Sequence, residues 1–579
     1  MSRAKRAKKR LQAAFGGRVA LEDRGHYVRL AGQLDSWDEV VKAGALAAKS
    51  LKGQKTVVND ICCAGVEVPP METPTLRDDA LEGAAPDVLI IGGGITGCAI
   101  ARALSRYQLD VVLVDKERDV ALHASSRNDG MVHPGIDLRK GSLKHKYNLA
   151  GNRMYDAVCR QMGVPFRRSG QYLCFQQRWL RPLLYCTLPY WRWLGLKGVK
   201  VLGRTALRAA EPNLDESLNT GLFFPSAGSV CPYNLTIAFA ENAVENGAKV
   251  VLDTVVEGME VQNGRITAVR TSRGALRPKV VVNAAGVFAD DIAAMAQDRF
   301  YSIHPRKGTN AILDSKQSDA IANTIVASIG TVSTKTAHSK GGGIVRTVED
   351  NILVGPDAVE TFEKENFATS RESVAATFAR QNKTVPALSE RAIITYFTGV
   401  RAPTYEEDFV VQMGVETENL AHAAGIQSPG ITAAPAIAAE IARLVRDYLA
   451  QSTGAAPAEK PNWQPVRKPI VKAAHLPDEE RAALIAQNPD YGLVVCRCEE
   501  VSAGEICAAL RRPVPCRTVD GVKRRVRPGM GRCQGGFCGP LVAQMIAQEN
   551  KISLQDVEKS GQGSRLVFGP VKGVRRAED

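Results

Sequence analysis

Residues 87–117 read DVLIIGGGITGCAIARALSRYQLDVVLVDKE. The apolar run 88–91 has the length of a buried strand. Gly92, Gly94 and Gly97 follow in G-x-G-x-x-G spacing, then a helical pattern over 95–107 and a second apolar run, 111–114, that ends in Asp115. A strand, a glycine turn, a helix and a strand within about 30 residues form the dinucleotide-binding signature. Gly92 permits the tight turn, Gly94 lets backbone approach a pyrophosphate, and Gly97 lets helix and strand pack closely. The helix N-terminus offers free N–H groups and partial positive charge to phosphates. Asp115, 18 residues past Gly97, can accept hydrogen bonds from a ribose. The alternative, a purely structural glycine turn, leaves the placed acid unexplained.

A chain of 579 residues exceeds one core and predicts three to four domains. At 45% hydrophobic and 23% charged residues it reads as an ordinary globular protein. No apolar run has the length of a membrane span. The basic start, MSRAKRAKKRLQAAF, lacks the apolar core of a signal peptide. A cytoplasmic protein is expected, in which thirteen cysteines predict thiols or a metal site instead of a disulfide framework. Part of the net charge of +14 lies near the ends, at 3–10 and 572–576. Solvated tails account for it; attraction to an acidic partner or, peripherally, to the inner face of an anionic membrane does so too. No nucleic-acid-binding module is recognisable, so nucleic acid is not expected as a partner.

Outward from the glycine turn, residues 10–63 read as a small α+β module, with strand pieces at 19–21 and 27–30, a helix over 37–51 and a closing strand near 57–61. The order VALEDRGHYVRLAGQLDSWDEVVKAGALAAK resembles the BON domain, and a plain accessory module fits the same spacing. Cys62 and Cys63 receive no role. Residues 64–85, with prolines 69, 70 and 74, predict a linker. Residues 123–136, HASSRNDGMVHPGI, form a loop of small and turn-forming residues placed to line a cofactor. Residues 279–288 give a second apolar strand ending in Asn-Ala-Ala-Gly, which suits a sheet returning to the same ligand. Residues 300–410 alternate strand and loop, as in an antiparallel substrate domain. Residues 394–436 return to the nucleotide fold, where HAAGIQSPG precedes a long helix.

Together GGGITGCAIA with Asp115, SSRNDGMVH, NAAG, TGVRAP and AAGIQSPGITAAPAIA resemble the FAD-dependent oxidoreductases of the D-amino-acid-oxidase superfamily. Within it they are most similar to the large subunit of anaerobic glycerol-3-phosphate dehydrogenases and to L-2-hydroxyglutarate dehydrogenases. The resemblance spans residues 86–450. It implies an α/β fold: a Rossmann-like FAD-binding domain, drawn from about 86–150, 230–290 and 394–450, and an antiparallel-sheet substrate domain from 151–229 and 291–393. It implies FAD contacts at Gly92, Gly94, Gly97, Asp115, Ser126, Arg127, Asn128, Val256, Gly286, Gly425, Gln427 and Gly430.

After a second linker, 451–485, residues 490–548 carry VVCRCEE and GMGRCQGGFCG. Cys496, Cys498, Cys533 and Cys538 form C-x-C…C-x4-C. Four thiolates on two turns suit an iron–sulfur cluster or zinc. The pattern resembles the bacterioferritin-associated-ferredoxin-like (BFD-like) [2Fe–2S] domain, which the same large subunits carry at this end. Cys507 and Cys516 are expected outside the site, and 550–579 as a basic tail.

A flavin and a one-electron cluster in one chain predict a dehydrogenase of a small anionic secondary alcohol, glycerol 3-phosphate or a 2-hydroxy acid. An electron-acceptor protein or quinone-linked subunit would then be its partner. An electron-transfer subunit or an amine or amino-acid dehydrogenase fits the same parts. Arg401 is the candidate clamp for the substrate anion, because guanidinium binds carboxylate and phosphate bidentately; pairing with Glu406 or Asp408 is its structural alternative. His133 and His304 are candidate bases, with His338 third.

Overall fold

A computed structural model describes residues 2–322, 324–328, 342–514 and 516–569. At its centre lies a six-stranded sheet in the order Lys249–Val251, Val111–Val114, Val88–Ile91, Val280–Asn283, Leu420–Ala424, Val410–Met413. The first five strands run parallel and the last is an antiparallel edge. Both faces are covered, which explains why the strands read as unbroken apolar runs instead of alternating. Val88, Ile90 and Leu113 pack against the helices Ile95–Leu104, Pro232–Glu245 and Gly430–Thr453. Leu89, Ile91 and Val112 face the meander Val256–Gln262, Arg265–Thr271, Gly274–Leu276.

The second large sheet has nine strands and follows the order Val359–Glu360, Arg306–Leu313, Ile352–Gly355, Gly343–Arg346, Ile325–Ser328, Gln171–Phe175, Thr220–Phe224, Lys200–Gly203, with Ile393–Arg401 paired to Arg306–Leu313. It is antiparallel except where Ile325–Ser328 runs parallel to Gln171–Phe175. The strand Ile393–Arg401 thus belongs to this sheet, and the chain returns to the nucleotide sheet only at Val410. That corrects the expected return near residue 394. The register sets Arg306 opposite Arg401, so one pair of neighbouring strands delivers two guanidinium groups to one place.

The basic start is no free tail. Arg3–Phe15 is a helix whose Ala7, Leu11 and Phe15 are buried, while Lys5, Arg6, Lys8, Lys9 and Arg10 stay in solvent. An i, i+4, i+8 stripe suffices to dock a helix that is otherwise cationic. The N-terminal module therefore begins at Arg3. Its strands order as Val19–Asp23, Tyr27–Leu34, Thr56–Cys63, the last two parallel and joined through the helix Trp37–Leu51. It docks on the oxidoreductase body through Tyr405, which enters the module's own core. An added Cβ at Gly44 would come within 2.3 Å of the Tyr405 ring, so a glycine is required there. The Tyr405 hydroxyl accepts a hydrogen bond from Asn59 Nδ2 (2.8 Å), and Val57 N–H donates to Glu406 Oε1 (2.9 Å).

Burial raises the Glu406 carboxyl to about 7. An acid whose folded pKa is raised holds its proton better in the folded state, so stability is lost as pH rises from the ordinary carboxyl range through about 7. Glu406→Gln keeps the acceptor for Val57 and removes the ionisation. Urea unfolding between about pH 5 and 8 should show a decline of order 1–3 kcal/mol in the wild type that the variant lacks. Parallel pH profiles for the two proteins would refute this role.

The second expected linker and residues 552–569 of the expected tail also pack on the body. Within 451–485, Arg467 is buried and donates to Glu241 (2.5 Å) and to Met162 O (3.0 Å), and Asp478–Gln487 is helical. Residues 552–569 fold back: Val557 is buried, Lys559 pairs with Asp520, and Gln562 accepts from Thr75 N–H (3.0 Å). Residues 572–576 and His338 lie outside the described residues. Among the described residues no helix is long and apolar enough to cross a membrane.

Candidate functional site: a dinucleotide cavity, an anion clamp and a thiolate cluster

The glycine turn performs three separable tasks. Gly92 adopts φ +111°, and an added Cβ would lie 2.4 Å from Ala284 O on the neighbouring strand end. Gly94 is the residue before the helix, where a Cβ would crowd Ser125 Oγ at 3.1 Å. A Cβ at Gly97 would sit 1.9 Å from Gly92 O. Gly97→Ala must therefore push the helix off the turn. We expect protein purified without flavin colour and about 1–3 kcal/mol less stable, the usual cost of overpacking; a yellow variant with full flavin content would contradict this.

Gly92, Gly94, Asp115, Val256, Gly286 and Ile426 line one cavity, together with Ser125, Ala285, Val400 and Ala402. The glycine turn, the acid, the meander, the Asn-Ala-Ala-Gly strand end and the 400–402 segment thus converge on one cavity. Asp115 is half-buried, accepts from Gly93 N–H and Glu117 N–H, and its carboxyl is raised by desolvation. Beside it, burial would raise Glu117, but His123 and Lys116 hold it down at about 2. Lys116 bonds both Glu117 (3.0 Å) and Glu365 (2.6 Å), so these acids with His123 form an ion-pair network and need no metal.

In the loop after Asp115, the residue that reaches the turn is Ser125, one position before the expected Ser126. Ile95 N–H donates to Ser125 Oγ (2.8 Å). Ser126 Oγ reaches back to His123 O (3.4 Å), and Asn128 ties the loop through Ala124 O and Gly130 N–H (both 2.9 Å). Arg127 stacks 3.7 Å above Phe367. These three shape the loop. Gly425 (φ +66°) and Gln427, which donates to Glu407 Oε2 (2.5 Å), form the turn before the last helix, and Gly430 opens that helix.

Arg401 is half-buried, and partial desolvation followed by Arg306 lowers its pKa. Its guanidinium donates to Lys307 O (3.2 Å) and Asp357 O (2.9 Å). It lies across Gly308, where a Cβ would meet Nη2 at 2.2 Å. The alternative partners are otherwise engaged: Glu406 binds Val57, and Asp408 accepts from Leu143 and Lys144 N–H. Among the described residues Arg401 forms no ion pair. Next to it, Arg306 bonds Glu360 (2.6 Å) and Glu407 (2.7 Å), and Lys144 approaches Glu407 at 3.6 Å. Asn310, four residues beyond Arg306 on the same strand, is buried with both amide atoms lacking partners among the described residues; nothing in its sequence context marks it.

The two histidines differ. His304 presents Nδ1 to Glu360 (3.0 Å) and Nε2 to Thr404 O (3.3 Å), and stacks 4.5 Å from Tyr405. Both ring nitrogens are thus engaged within the protein. His133 Nδ1 accepts from Gly135 N–H (2.9 Å), which places the neutral ring's proton on Nε2, 3.8 Å from Asp137.

Cys496 and Cys498 Sγ lie 3.9 Å apart, and Cys498 and Cys533 3.8 Å. Cys538 faces Cys496 and precedes the helix Gly539–Asn550. N–H groups of Gly535, Phe537 and Gly536 lower the Cys533 thiol, as a thiolate ligand requires. A Cβ at Gly531 would come 2.7 Å from Cys498 Sγ. Four thiols on two tight turns fit a [2Fe–2S] cluster. Cys516 is buried and Cys507 half-buried outside this group. The domain is clamped to the loop after Asp115: Arg525 donates to both Asp119 oxygens (2.8 and 2.9 Å) and Arg524 adds a third bond (3.1 Å).

A parallel sheet with its glycine turn, acid and second strand end around one cavity defines a dinucleotide-binding flavoprotein. Residues 87–444 match the FAD dependent oxidoreductase family and residues 494–548 the BFD-like [2Fe-2S] binding domain; the chain belongs to the FAD-dependent oxidoreductases. It is 35% identical over 489 residues to a glycerol 3-phosphate dehydrogenase of Caloramator mitchellensis, covering 84% of this chain and 99% of that one. It is 26% identical over 515 residues to the anaerobic glycerol-3-phosphate dehydrogenase subunit A1 of Haloferax volcanii, covering 80% and 83%. The FAD-bound L-α-glycerophosphate oxidase of Mycoplasma pneumoniae superposes with a TM-score of 0.60 at 26% identity, over 66% of this chain and 98% of that one. The protein is thus an FAD-dependent oxidoreductase with a [2Fe–2S]-binding domain, similar to glycerol-3-phosphate dehydrogenases.

Proposed function

We propose that the protein is a dehydrogenase of glycerol 3-phosphate, with Arg401 as the clamp for the phosphate. One observation carries the reading: a half-buried guanidinium bonded to two carbonyls and, among the described residues, to no carboxylate. A charge withdrawn this far from water is better held when paired, and the substrate's anion would supply that partner. Arg306 and Lys144 stand beside it and, with Glu360 and Glu407, keep the pocket's charge close to balance until that anion enters. The names of the relatives favour a phosphate ester over a 2-hydroxy acid. FAD, when bound, accepts the hydride, and a [2Fe–2S] cluster carries electrons singly to an acceptor.

The residues of this chain bind, orient and move the proton. His133 is the candidate to receive the hydroxyl proton at Nδ1, which it can do only by giving up the hydrogen bond that Nδ1 accepts from Gly135 N–H. Asp137 stabilises the imidazolium through Nε2–H. Asn152, which donates to His133 O (3.1 Å), and Thr432, which accepts from His133 N–H (2.7 Å), hold its backbone. The Asp119 clamp supports an electron exit into the cluster domain, because it fixes that domain to the cofactor loop. His133→Asn should lower the rate of flavin bleaching by about 10²–10⁴-fold, the usual worth of a general base. It should also remove the acidic limb of the pH–rate profile. A variant with the wild-type profile would exclude His133. Anaerobic mixing with glycerol 3-phosphate, 2-hydroxyglutarate, lactate and proline tests the substrate directly; bleaching by proline alone would overturn the reading in favour of an amine donor.

A further inference from the structure

Between the strands Gln171–Phe175 and Lys200–Gly203 the chain inserts QQRWLRPLLYCTLPYWRWLGLKGV at residues 176–199. It folds as two short helices, Leu180–Cys186 and Leu188–Trp193. Their inner side is apolar and buried: Leu184, Leu194 and Leu196 pack with Leu222 and Phe224. That core is complete without the outer side. Yet Trp179, Leu183, Tyr185, Tyr190 and Trp193 point outward, each 49–67% exposed. Trp179 and Leu183 share one helical face at i, i+4, and Tyr190 and Trp193 another at i, i+3. Two tryptophans, two tyrosines and a leucine in one exposed segment exceed the scattered apolar residues of an ordinary surface.

The charge around them has one sign. No Asp or Glu occurs between Asp156 and Glu211. Within that span Arg178, Arg181, Arg192, Lys197 and Lys200 are all exposed, and among the described residues none of the five forms an ion pair. Lys140 adds a cation 3.6 Å above the Trp193 ring. Self-association would bring like charges face to face across a two-fold axis, which disfavours a second copy as the occupant. Tryptophan and tyrosine among arginines and lysines is instead the composition of a face that lies in a lipid headgroup layer: rings enter the acyl boundary and cations meet anionic headgroups.

We propose that this paired-helix face docks the enzyme on the surface of an anionic phospholipid bilayer. The net charge of +14 favours the same approach at long range. The face is anchored to the catalytic wall, since His145 Nε2 bonds Leu194 O (2.8 Å) one residue from Lys144. Docking therefore sets the oxidoreductase body at a fixed orientation to the lipid.

The test is co-sedimentation of the full-length flavoprotein with vesicles of phosphatidylcholine alone and of mixed phosphatidylcholine and phosphatidylglycerol, at low and high salt. The expected result is binding to the mixed vesicles, weakened by salt, with little binding to the neutral ones. Arg181→Glu with Arg192→Glu should reduce partitioning at least about tenfold, since each basic residue near an anionic surface contributes roughly 1 kcal/mol. Trp179→Ala with Trp193→Ala should reduce it by a similar factor. All four side chains are exposed and outside the active site, so flavin content and bleaching by glycerol 3-phosphate in solution stay unchanged. Failure of the wild type to bind mixed vesicles overturns the proposal, as does equal binding by the variants. A change of oligomeric size in the variants without a change in vesicle binding also overturns it and marks the face as a protein contact.

Discussion

Cys533→Ser yields a protein that still binds FAD and is still bleached by substrate, but that lacks the EPR signal of a reduced [2Fe–2S] cluster. Cys533 is the thiol most strongly prepared for ligation, faced by three backbone N–H groups of its own loop. Serine keeps the size and loses the soft thiolate that holds iron. Groups that merely orient a ligand cost about 10–100-fold when removed, so losing a ligand outright should lower turnover with an external one-electron acceptor by at least that factor. The flavin half-reaction is the internal control. Iron analysis of anaerobically purified protein should give about two irons per wild-type chain and a clear deficit in the variant. Zinc at full occupancy in place of iron would remove the proposed electron exit.

Arg401→Lys keeps a positive charge and removes the planar fork. The ammonium reaches one acceptor where guanidinium holds two, and it leaves the space over Gly308 incompletely filled. Hydrogen bonds to charged groups contribute about 1.5–3 kcal/mol, so kcat/KM for glycerol 3-phosphate should fall roughly 10- to 150-fold with flavin content intact. A change confined to KM would mean that the clamp binds ground state and transition state alike. Unaltered kinetics would exclude Arg401 from the site and return it to the role of a strand-bridging residue held by Lys307 O and Asp357 O.

The nucleotide fold was legible because its signals are local. Strand, turn, helix and acid follow one another within a single super-secondary unit, and each glycine serves a contact only a few residues or one strand away. The substrate-side sheet was legible only as alternation. Its pairings join residues far apart in sequence, as Arg306 with Arg401 or Ile325 with Gln171, and a period of two carries no information about which strand lies beside which. The strand Ile393–Arg401 was assigned to the wrong sheet for that reason.

Side-chain roles followed the same rule. His133 and His304 look alike in the sequence, and only the fold shows that Glu360 and Thr404 O engage His304 while Gly135 N–H and Asp137 engage His133. Ser125 differs from Ser126 only in which way a loop turns, and Asn128 sets that turn through its bonds to Ala124 and Gly130. The N-terminal helix escaped notice because its cations outnumber its three buried residues, although the spacing of Ala7, Leu11 and Phe15 was there to be read. The thiolate quartet needed no tertiary knowledge, since two short motifs supply all four ligands.

The central claim is that one chain oxidises glycerol 3-phosphate at a flavin and delivers the electrons to its own cluster. Anaerobic titration of the oxidised holoprotein with glycerol 3-phosphate, followed by visible absorbance and by EPR on frozen aliquots, tests it most directly. The account predicts loss of the oxidised-flavin band and growth of a reduced-cluster signal in the same titration, with no response to proline. Persistence of the oxidised flavin at saturating glycerol 3-phosphate, or a bleached flavin beside a cluster that never becomes reduced, would contradict it.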